Sequence, residues 1–402
     1  MPSPLTVVMI ANVLPHDGIP HAGGQYVHRL VREVETFAEL TVIVPNNPTS
    51  RAAAELPGTP SSFVVAGSTR AATLPGRAAS RLATVVDLQG RRLDPGLASV
   101  PLALNLLRDR SIREAIARAD VIDLQWSECI RLAPLVRRIN PRARIVGTFH
   151  DVQSQLFERE SAVIGAHPGY WRAVARHSRR LERRLLEQLD EVLVFSAKDA
   201  DLLGGPAHVR VVRPPLAPDS APLHRPGGAS PTVLFVSHLA RPENDQGALW
   251  LLDKVWPQVV QARPDAWLRL VGSGASDDLT QAVAQSDSVE LAGFVPHLDE
   301  EYAAATACVV PLHIGAGVKF KTVEALTHGV PVLTTRVGAE GIGGADRFAL
   351  LSDDPGEWVD ALTAILTDPG ATQREADVTQ QWASAAYGQE TFAEAIRASY
   401  AH

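Results

Sequence analysis

The stretch GAGVKFKTVEA, residues 315–325, carries two of the chain's four lysines, and a single residue separates them. It follows an apolar run typical of a strand, Ala307–Leu312, and it opens a helical pattern that ends at Gly329. A glycine-rich turn before a helix presents backbone N–H groups at the positive end of the helix dipole. Extra cations there are unfavourable unless an anion binds. The stretch therefore predicts an anion site, and phosphate is the expected guest.

The same order of strand, turn and helix recurs along the chain. Apolar segments that alternate with helical patterns predict an α/β architecture, with parallel sheets covered by helices on both faces. A chain of 402 residues is too long for one ordinary core, so we expect two domains. Helices are predicted, among other places, at Asp245–Gln261 and Lys319–His328. The predicted strands are Val7–Ala11, Leu40–Val44, Phe63–Ala66, Val121–Gln125, Arg144–Phe149, Glu191–Phe195, Val209–Val212, Thr232–Val236, Ala266–Val271, Val289–Leu291, Ala307–Leu312 and Pro331–Thr335.

A proline-rich segment separates the two predicted domains. Arg213–Pro231 contains six prolines and no apolar periodicity, which is typical of a linker. A doubly wound sheet binds ligands at the carboxyl ends of its strands, and two such domains in tandem are expected to leave one deep cleft. We therefore expect the functional side chains to follow strands.

The composition excludes several classes of protein. Cys129 and Cys308 are the only cysteines, which excludes a disulfide framework and a cysteine metal site. No stretch reaches the roughly 18 uncharged apolar residues that a membrane span needs. Met1–Leu14 lacks the basic start of a secretory signal. These features together predict a cytoplasmic protein.

The net charge of −7 is unevenly distributed. Residues 1–215 contain 27 Lys and Arg against 21 Asp and Glu, whereas the remainder contains 11 against 24. Arg108–Arg144 and the helical run Trp171–Arg184 hold much of the basic surplus. That run is either a solvated helix face or a patch that attracts an anionic acceptor or an anionic membrane surface. Nucleic acid is not an expected partner, because basic and aromatic residues do not interleave and no nucleic-acid-binding module is recognisable.

Candidate functional residues follow the predicted strands. His150 and Asp151 come directly after Arg144–Phe149, and the position of the histidine at a strand exit favours a role in the site. Gly23 and Gly24 open a helix after the first strand, and they are either functional or a simple turn. The Gly-x-Gly-x-x-Gly fingerprint of dinucleotide-binding domains is absent there, which argues against a nicotinamide enzyme.

From Thr232 to Gly344 the chain closely resembles the family 4 glycosyltransferases of the GT-B fold, and before Pro215 it resembles them more loosely. The motifs that carry the resemblance keep the order and spacing of one branch of that family. They are FVSHL (235–239), DQG (245–247), Trp250, VWP (255–257), VGSG (271–274), GFVP (293–296), PL (311–312), GAGVKFKTVEA (315–325), GVPV (329–332) and GAEG (338–341).

The resemblance implies two Rossmann-like domains that face a cleft. Residues 1–214 would bind the acceptor and residues 215–375 would bind a nucleotide sugar. Residues 376–402, which include the helix-like run Tyr387–Ile396, would cross back to the first domain. Glu324 matches the glutamate that holds the ribose hydroxyls of the donor, and a carboxylate is suited to accept from two vicinal hydroxyls.

The resemblance also assigns roles around the transferred sugar. His150 looks like the histidine beside that sugar, and Asp151 would orient its imidazole or meet the acceptor. Gly23 and Gly24 resemble the glycine loop near the diphosphate and the acceptor, and Val295 lies in the segment that contacts the nucleobase. The other positions expected to bind the donor are His238, Arg241, Gly272, Gly315, Ala316, Gly317, Val318 and Lys321.

The chain departs from the wider family at three positions. Ala316 stands where many members have a glutamate that contacts the sugar. His238 replaces a frequent arginine, and the usual lysine is missing from Arg241–Asn244. The diphosphate of the donor must therefore find other cations.

Two lysines can supply that charge. Lys319 is the natural replacement and is expected to take part in catalysis. Lys321 is the alternative, although its spacing from Glu324 on one helix face also suits a role in orienting that glutamate.

The sequence thus predicts a metal-independent, retaining glycosyltransferase without a cofactor beyond its nucleoside diphosphate sugar. The acceptor, which is a glycan, a lipid-linked molecule or a small molecule, stays open, as do the sugar and the base. Front-face attack, in which the leaving phosphate accepts the proton of the acceptor, would need no strong enzymic base. Two alternatives remain. One is a sugar-nucleotide epimerase of the same architecture, and the other is a non-catalytic nucleotide-sugar-binding protein, which the departure at Ala316 keeps open.

Overall fold

The computed structural model describes residues 4–19, 21–67, 83–91, 94–163, 168–218 and 231–401. It divides the chain into two compact units, one formed by residues 1–214 and 393–402 and the other by residues 215–392. Most of the predicted linker, residues 219–230, lies outside the described residues. The sequence predicts that the returning segment begins at residue 376, but residues 376–392 belong to the second unit. The reason is that helix Pro369–Ala386 packs against helix Phe320–Thr327 of that unit.

The first unit contains one parallel sheet whose strand order is β3-β2-β1-β4-β5-β6-β7. Its strands are β1 (Leu5–Ile10), β2 (Ala38–Pro45), β3 (Phe63–Ala66), β4 (Val121–Gln125), β5 (Arg144–Phe149), β6 (Glu191–Val194) and β7 (Val209–Val211). Its helices are α1 (Ala22–Val34), α2 (Pro48–Ala53), α3 (Val100–Arg108), α4 (Arg110–Arg118), α5 (Trp126–Ile130), α6 (Ala133–Ile139), α7 (Gln153–Val163), α8 (Pro168–Leu186) and α9 (Ala197–Leu202). Residues 83–91 are helical as well.

The second unit repeats this arrangement with the strand order β10-β9-β8-β11-β12-β13. Its strands are β8 (Thr232–Val236), β9 (Trp267–Val271), β10 (Val289–Gly293), β11 (Ala307–Val310), β12 (Val332–Thr334) and β13 (Leu350–Leu351). Its helices are α10 (Pro242–Trp250), α11 (Trp256–Ala262), α12 (Asp277–Val283), α13 (Asp299–Ala304), α14 (Phe320–Thr327), α15 (Pro355–Thr367) and α16 (Pro369–Ala386). The last helix, α17 (Gln389–Tyr400), begins in this unit and ends in the first.

The strand orders define a switch point in each sheet. The connections that leave β1 and β4 run in opposite directions along the first sheet, and those that leave β8 and β11 do the same in the second. In doubly wound sheets the crevice for ligands lies at the carboxyl ends of such strands. The loops after these four strands are therefore the places to look for functional side chains.

Burial follows the apolar pattern of the sequence. All five residues of β4 are buried, as a central strand covered by helices on both faces requires. Helix α1 buries Tyr26, Val27, Leu30, Val31 and Val34, which share one helix face. In the second unit Trp256 and Trp358 are fully buried parts of the core. Within the described residues, no helix has the length and apolarity that a crossing of the membrane would require.

Each predicted strand is confirmed, with ends that differ by at most two residues. Strand β11 stops before Pro311, whose missing N–H cannot continue the ladder. The single helix predicted at Asp245–Gln261 begins at Pro242 and contains a π-helical turn at Leu251–Val255. Pro257 explains the interruption, because it cannot donate the i→i−4 hydrogen bond to Asp253. The two-residue strand β13 was not predicted, since it is too short to show a pattern.

Gly272 at the end of β9 gives a test of this packing. Its φ of +142° is open to glycine alone, and a Cβ there would lie 1.6 Å from the carbonyl oxygen of Ser237. Gly293 also has a positive φ, but a Cβ there would meet nothing within 4 Å. We expect Gly293→Ala to lower the free energy of unfolding by about 1–2 kcal/mol. Gly272→Ala should lower it by more than ~3 kcal/mol. Urea unfolding measures both, and equal losses would contradict the close approach of β9 to Ser237.

Candidate active site

The loop after β11 in the second unit is shaped by two glycines. Gly315 and Gly317 have φ values of +128° and +69°, which side-chain-bearing residues rarely adopt. Lys319 then ends the loop as the N-cap residue of α14. Its Nζ donates to the carbonyl oxygens of Ala316 at 2.9 Å and of Gly317 at 2.7 Å. The ammonium of Lys319 therefore fixes the curvature of the loop from within.

The ammonium of Lys321 lies at the exit of β8. Its Nζ donates to Ser237 Oγ at 2.6 Å and to Asn244 Oδ1 at 2.5 Å. Asn244 is oriented in turn, because its Nδ2 donates to the carbonyl oxygen of His238 at 2.7 Å. Lys321 thus connects α14 to the loop after β8 and to the first turn of α10. These are the elements that flank the switch point of the second sheet.

Both oxygens that bind the Lys321 ammonium are neutral. Lys321 is partly exposed as a residue, whereas its ammonium is enclosed by protein. The pKa of Lys321 depends on the surroundings of the ammonium. Burial, with smaller contributions from the nearby charges of Arg241 and Lys319, lowers the pKa of Lys321 to about 7. The carboxylates of Glu243 and Glu324 partly oppose this shift. An anion bound beside Lys321 would stabilise its charged form.

Glu324 lies one turn further along α14. The charge of Glu324 opposes the lowering of the Lys321 pKa, and it adds to burial, which is the main cause of the raised pKa of Tyr302. The backbone carbonyl of Glu324 accepts from Thr327 Oγ1 at 2.9 Å and bonds His328 Nδ1 at 2.7 Å. The ring of His328 stacks on Tyr302 with a centroid distance of 4.4 Å. These contacts hold the end of α14.

The other donor-site candidates of the second unit follow β8, β9 and β10. Gly272 contacts Ser237 at the end of β8, and Val295 follows β10 next to Phe294, whose side chain is 74% exposed. His238 is exposed, and Arg241 forms an ion pair with Glu243 at 2.7 Å. Arg241 thus already has a carboxylate partner, whereas the hydrogen-bond partners of Lys321 are uncharged.

In the first unit His150 follows β5 and is enclosed by aromatic rings. The indole of Trp126 stacks on it with a centroid distance of 4.3 Å, and Tyr26 and Phe195 contact it at 5.2 Å and 5.1 Å. Trp126 is the one non-glycine residue with a positive φ, +68°, among the residues that the structure describes. A Cβ on Gly23 would lie 3.1 Å from His150 Nδ1. The structure therefore brings together two sequence-predicted residues, Gly23 and His150, at the switch point of the first sheet.

The charge state of His150 follows from its surroundings. Burial, and to a smaller degree the nearby His21, lower the pKa of His150 to about 3. His150 is therefore neutral near pH 7. Gly24 serves a different purpose from Gly23, because its N–H donates to His21 Nδ1 at 2.9 Å and caps α1. Asp151 follows His150 and is exposed.

Several site residues were missed by the sequence reasoning. Ser237, which binds Lys321, belongs to a motif that was noted only for its order, and Asn244, its second partner, ends the segment from which the usual lysine is missing. Gln125 ends β4 and Trp126 begins α5, and a glutamine inside a buried strand was a signal that could have identified the first of them. Across the described part of the chain, no group of three or more His, Cys, Asp or Glu is arranged to hold a metal ion. The metal independence expected from the sequence stays a prediction.

A known family model matches part of the second unit. Residues 230–368 match the family model described as glycosyl transferases group 1. A 44.6 kDa protein in the cps region of Klebsiella pneumoniae is 34% identical over 165 residues, which cover 38% of this chain and 41% of that protein. A glycogen synthase of Mycobacterium tuberculosis is 26% identical over 253 residues, which cover 59% of this chain and 60% of that enzyme. Each match therefore spans less than two thirds of the relative's length.

Solved structures share the fold of the chain. Anabaena Alr3699/HepE in complex with UDP and glucose has a TM-score of 0.67 at 15% identity, with 98% of both chains covered. Sucrose-phosphate synthase from Thermosynechococcus elongatus also has a TM-score of 0.67, at 17% identity and 98% coverage of both chains. At these identities the likeness establishes the fold alone. The predicted GT-B fold class, built from two Rossmann-like domains, is confirmed.

The lowered pKa of Lys321 has a measurable effect on stability. Between about pH 7 and pH 10 the unfolded chain keeps a proton on this lysine that the folded protein loses. Stability contributed by this group therefore rises with pH in that window. Relative to Lys321→Met, we expect the free energy of unfolding of the native protein to rise by about 2 kcal/mol from pH 7 to pH 9. Urea unfolding at both pH values measures the difference.

Lys254 provides the matched control for that comparison. It is exposed and paired with Asp253 at 2.8 Å, and its pKa is raised rather than lowered. Lys254→Met should therefore show the same offset from the native protein at pH 7 and pH 9. A constant offset for Lys321→Met as well would mean that its ammonium is not destabilised by burial.

Proposed function

We propose that this chain, whose residues 230–368 match the glycosyl transferases group 1 family, is a retaining, metal-independent glycosyltransferase. It moves a sugar from a nucleoside diphosphate sugar to a hydroxyl group of an acceptor. The donor binds the second unit and the acceptor binds the first. One structural neighbour with the same fold, Anabaena Alr3699/HepE, was solved with UDP and with UDP-glucose, which makes a uridine donor the first to test.

One observation carries the proposal, namely the position of the Lys321 ammonium. It lies at the carboxyl end of β8, beside the glycine loop that leads into α14, and it binds two neutral oxygens. The loop after β8 contains no lysine, although the family usually has one there. Lys321 brings an ammonium to that loop from α14, and we propose that it is the main cation for the diphosphate of the donor.

The remaining residues of this loop have supporting roles. Lys319 keeps the loop curved through its bonds to Ala316 and Gly317, and its charge adds to the field at the diphosphate. Glu324 accepts hydrogen bonds from the ribose hydroxyls of the donor. Positive charge fixed before the reaction stabilises the leaving diphosphate as its negative charge grows, which is where such an enzyme gains most of its rate. The leaving phosphate accepts the proton of the acceptor hydroxyl.

The first unit supplies the neutral side of the reaction. His150 is uncharged near neutral pH, so it positions a hydroxyl group and does not act as a general acid. Asp151, exposed beside it, is placed to meet the acceptor. The exposed arginines of α8 suit an acceptor with negative charge, or a membrane surface that carries one. They are Arg172, Arg176, Arg180, Arg183 and Arg184.

The proposed location is the cytoplasm. Cys129 and Cys308 are buried free thiols, which agrees with a reducing compartment.

Substitutions in α14 test the assignment. We expect Glu324→Ala, Lys319→Ala and Lys321→Met each to lower transfer by at least a hundredfold, because each removes a group that binds the ribose or stabilises the leaving diphosphate. Release of UDP from UDP-glucose in the presence of candidate acceptors measures the rate, and far-UV circular dichroism checks the fold. Exposed Lys254→Ala is the control and should retain the native rate. Near-native rates in the three α14 variants would overturn the proposal.

Donor alone separates transfer from the two alternatives. An epimerase would convert UDP-glucose into a second nucleotide sugar without an acceptor, and a non-catalytic protein would bind it unchanged. For a transferase we expect no isomer of the donor, and UDP release that increases when an acceptor is added. Product analysis by mass spectrometry and chromatography distinguishes these outcomes. The anomeric configuration of the product tests retention, and an unchanged rate after EDTA treatment tests metal independence.

A further inference from the structure

Three buried polar side chains, those of Tyr400, Asp123 and Gln125, are joined by hydrogen bonds that lead to His150 in the first unit. The hydroxyl of Tyr400, on α17, donates to Asp123 Oδ2. Gln125 Nε2 donates to Asp123 Oδ1 at 2.7 Å, and Gln125 Oε1 bonds His150 Nε2 at 3.0 Å. Asp123 and Gln125 have no exposed surface, Tyr400 is 1% exposed and His150 6%. Burying a polar side chain costs free energy unless it forms hydrogen bonds, and each of these side chains forms at least one.

The direction of every hydrogen bond among these four side chains is determined. An ionised carboxylate only accepts, so Asp123 takes hydrogens from both Tyr400 and Gln125. The second amide hydrogen of Gln125 reaches Thr148 Oγ1 at 3.1 Å. With both amide hydrogens in use, Gln125 offers its carbonyl oxygen to His150. Nε2 of His150 must therefore carry the hydrogen, and Nδ1 is left as a bare lone pair.

That lone pair has no partner within the described residues, and it faces the start of α1. His150 Nδ1 is buried and makes no hydrogen bond. The space in front of it is kept by Gly23, since any Cβ there would lie 3.1 Å from Nδ1. The ring cannot turn away from this space, because Trp126, Tyr26 and Phe195 enclose it. Trp126 is the partly exposed member of the three.

We infer that Asp123, Gln125 and Tyr400 are positioning residues that fix His150 as the Nε2–H tautomer, so that Nδ1 accepts a hydrogen bond from a hydroxyl group of the substrate. The inference rests on the proposed function for the identity of the substrate. A bare lone pair accepts a hydrogen bond from a hydroxyl group and repels a carboxylate, so this position favours a ligand that presents a hydroxyl group there. The hydroxyl belongs either to the sugar of the donor or to the acceptor.

The pH must be chosen so that Asp123 is ionised. Burial raises the pKa of Asp123 to about 6, while the hydrogen bonds from Tyr400 and Gln125 oppose the shift. The other titratable groups whose pKa values respond to the charge of Asp123 are Tyr26 of α1 and Cys129 of α5. Below about pH 6 a protonated Asp123 can donate, which allows the amide of Gln125 to reverse. Measurements at pH 7.5 avoid that state.

The tautomer is measured by two-bond ¹H–¹⁵N correlation spectra of protein labelled with ¹⁵N-histidine, with His150 assigned from the His150→Gln variant. We expect a protonated Nε2 and a bare Nδ1 in the native protein. Asp123→Asn can donate to Gln125, so it should release the amide and populate the Nδ1–H tautomer. Tyr302→Phe removes a buried hydroxyl of the second unit that has no hydrogen-bond partner, and it should leave the spectrum unchanged. A protonated Nδ1 in the native protein, or an unaltered tautomer in Asp123→Asn, overturns the inference.

Kinetics and ligand titration complete the test. In Asp123→Asn we expect kcat of transfer to fall at least tenfold while the Kd of UDP stays within twofold. A change of tautomer without a change of kcat would overturn the positioning role. UDP-glucose, but not UDP, should shift the His150 Nδ1 signal if the hydroxyl is on the sugar of the donor. A shift that requires the acceptor places the hydroxyl on the acceptor. No shift with UDP-glucose, with an acceptor or with both overturns the role of Nδ1 as a hydrogen-bond acceptor for the substrate. Absence of transfer with every donor tested would refute the proposed function, whereas the tautomer spectra would still decide the inference.

Discussion

The buried ammonium of Lys321 is the constraint on which the second unit depends. It is held by Ser237 and Asn244, two neutral groups from the loop after β8 and the start of α10. A buried cation bonded only to neutral oxygens is poorly compensated, and the lowered pKa of Lys321 expresses that cost. An anionic ligand at the switch point would remove the cost, which is why we propose a diphosphate as the ligand of this loop.

The first unit differs, because the side chain at its switch point is uncharged. Burial keeps the ring of His150 neutral, and Gln125, which is held by Asp123, orients the ring. Gly23 keeps the adjoining space open. Within the described residues, one unit thus presents an ammonium bonded to neutral oxygens, and the other presents a ring nitrogen without a hydrogen-bond donor. Under the proposed function, the diphosphate of the donor would meet the ammonium, and a hydroxyl group of the donor sugar or of the acceptor would meet the ring nitrogen.

The sequence predicted the fold well because apolar periodicity and turn chemistry are local properties. The strands before and after the linker were found within two residues, and the exception, Leu350–Leu351, is too short to carry a pattern. The candidate site was predicted less completely. Lys321 was identified as a candidate from its position at the start of a helix. Its partners Ser237 and Asn244 are 84 and 77 residues away in the sequence, and only the fold brings them together. Tyr400 is 277 residues from Asp123, a distance that no motif spans.

The central claim is that an anion completes the charge of Lys321, and proton uptake on binding tests it most directly. UDP, GDP, ADP and dTDP are titrated calorimetrically at pH 8 in buffers of different ionisation enthalpy. At that pH free Lys321 is mostly neutral, and a bound diphosphate should restore its proton. We predict an uptake of close to one proton with at least one of these nucleotides, and its loss in Lys321→Met. Failure of all four to bind, or binding with the same proton balance in the native protein and in Lys321→Met, would contradict the account.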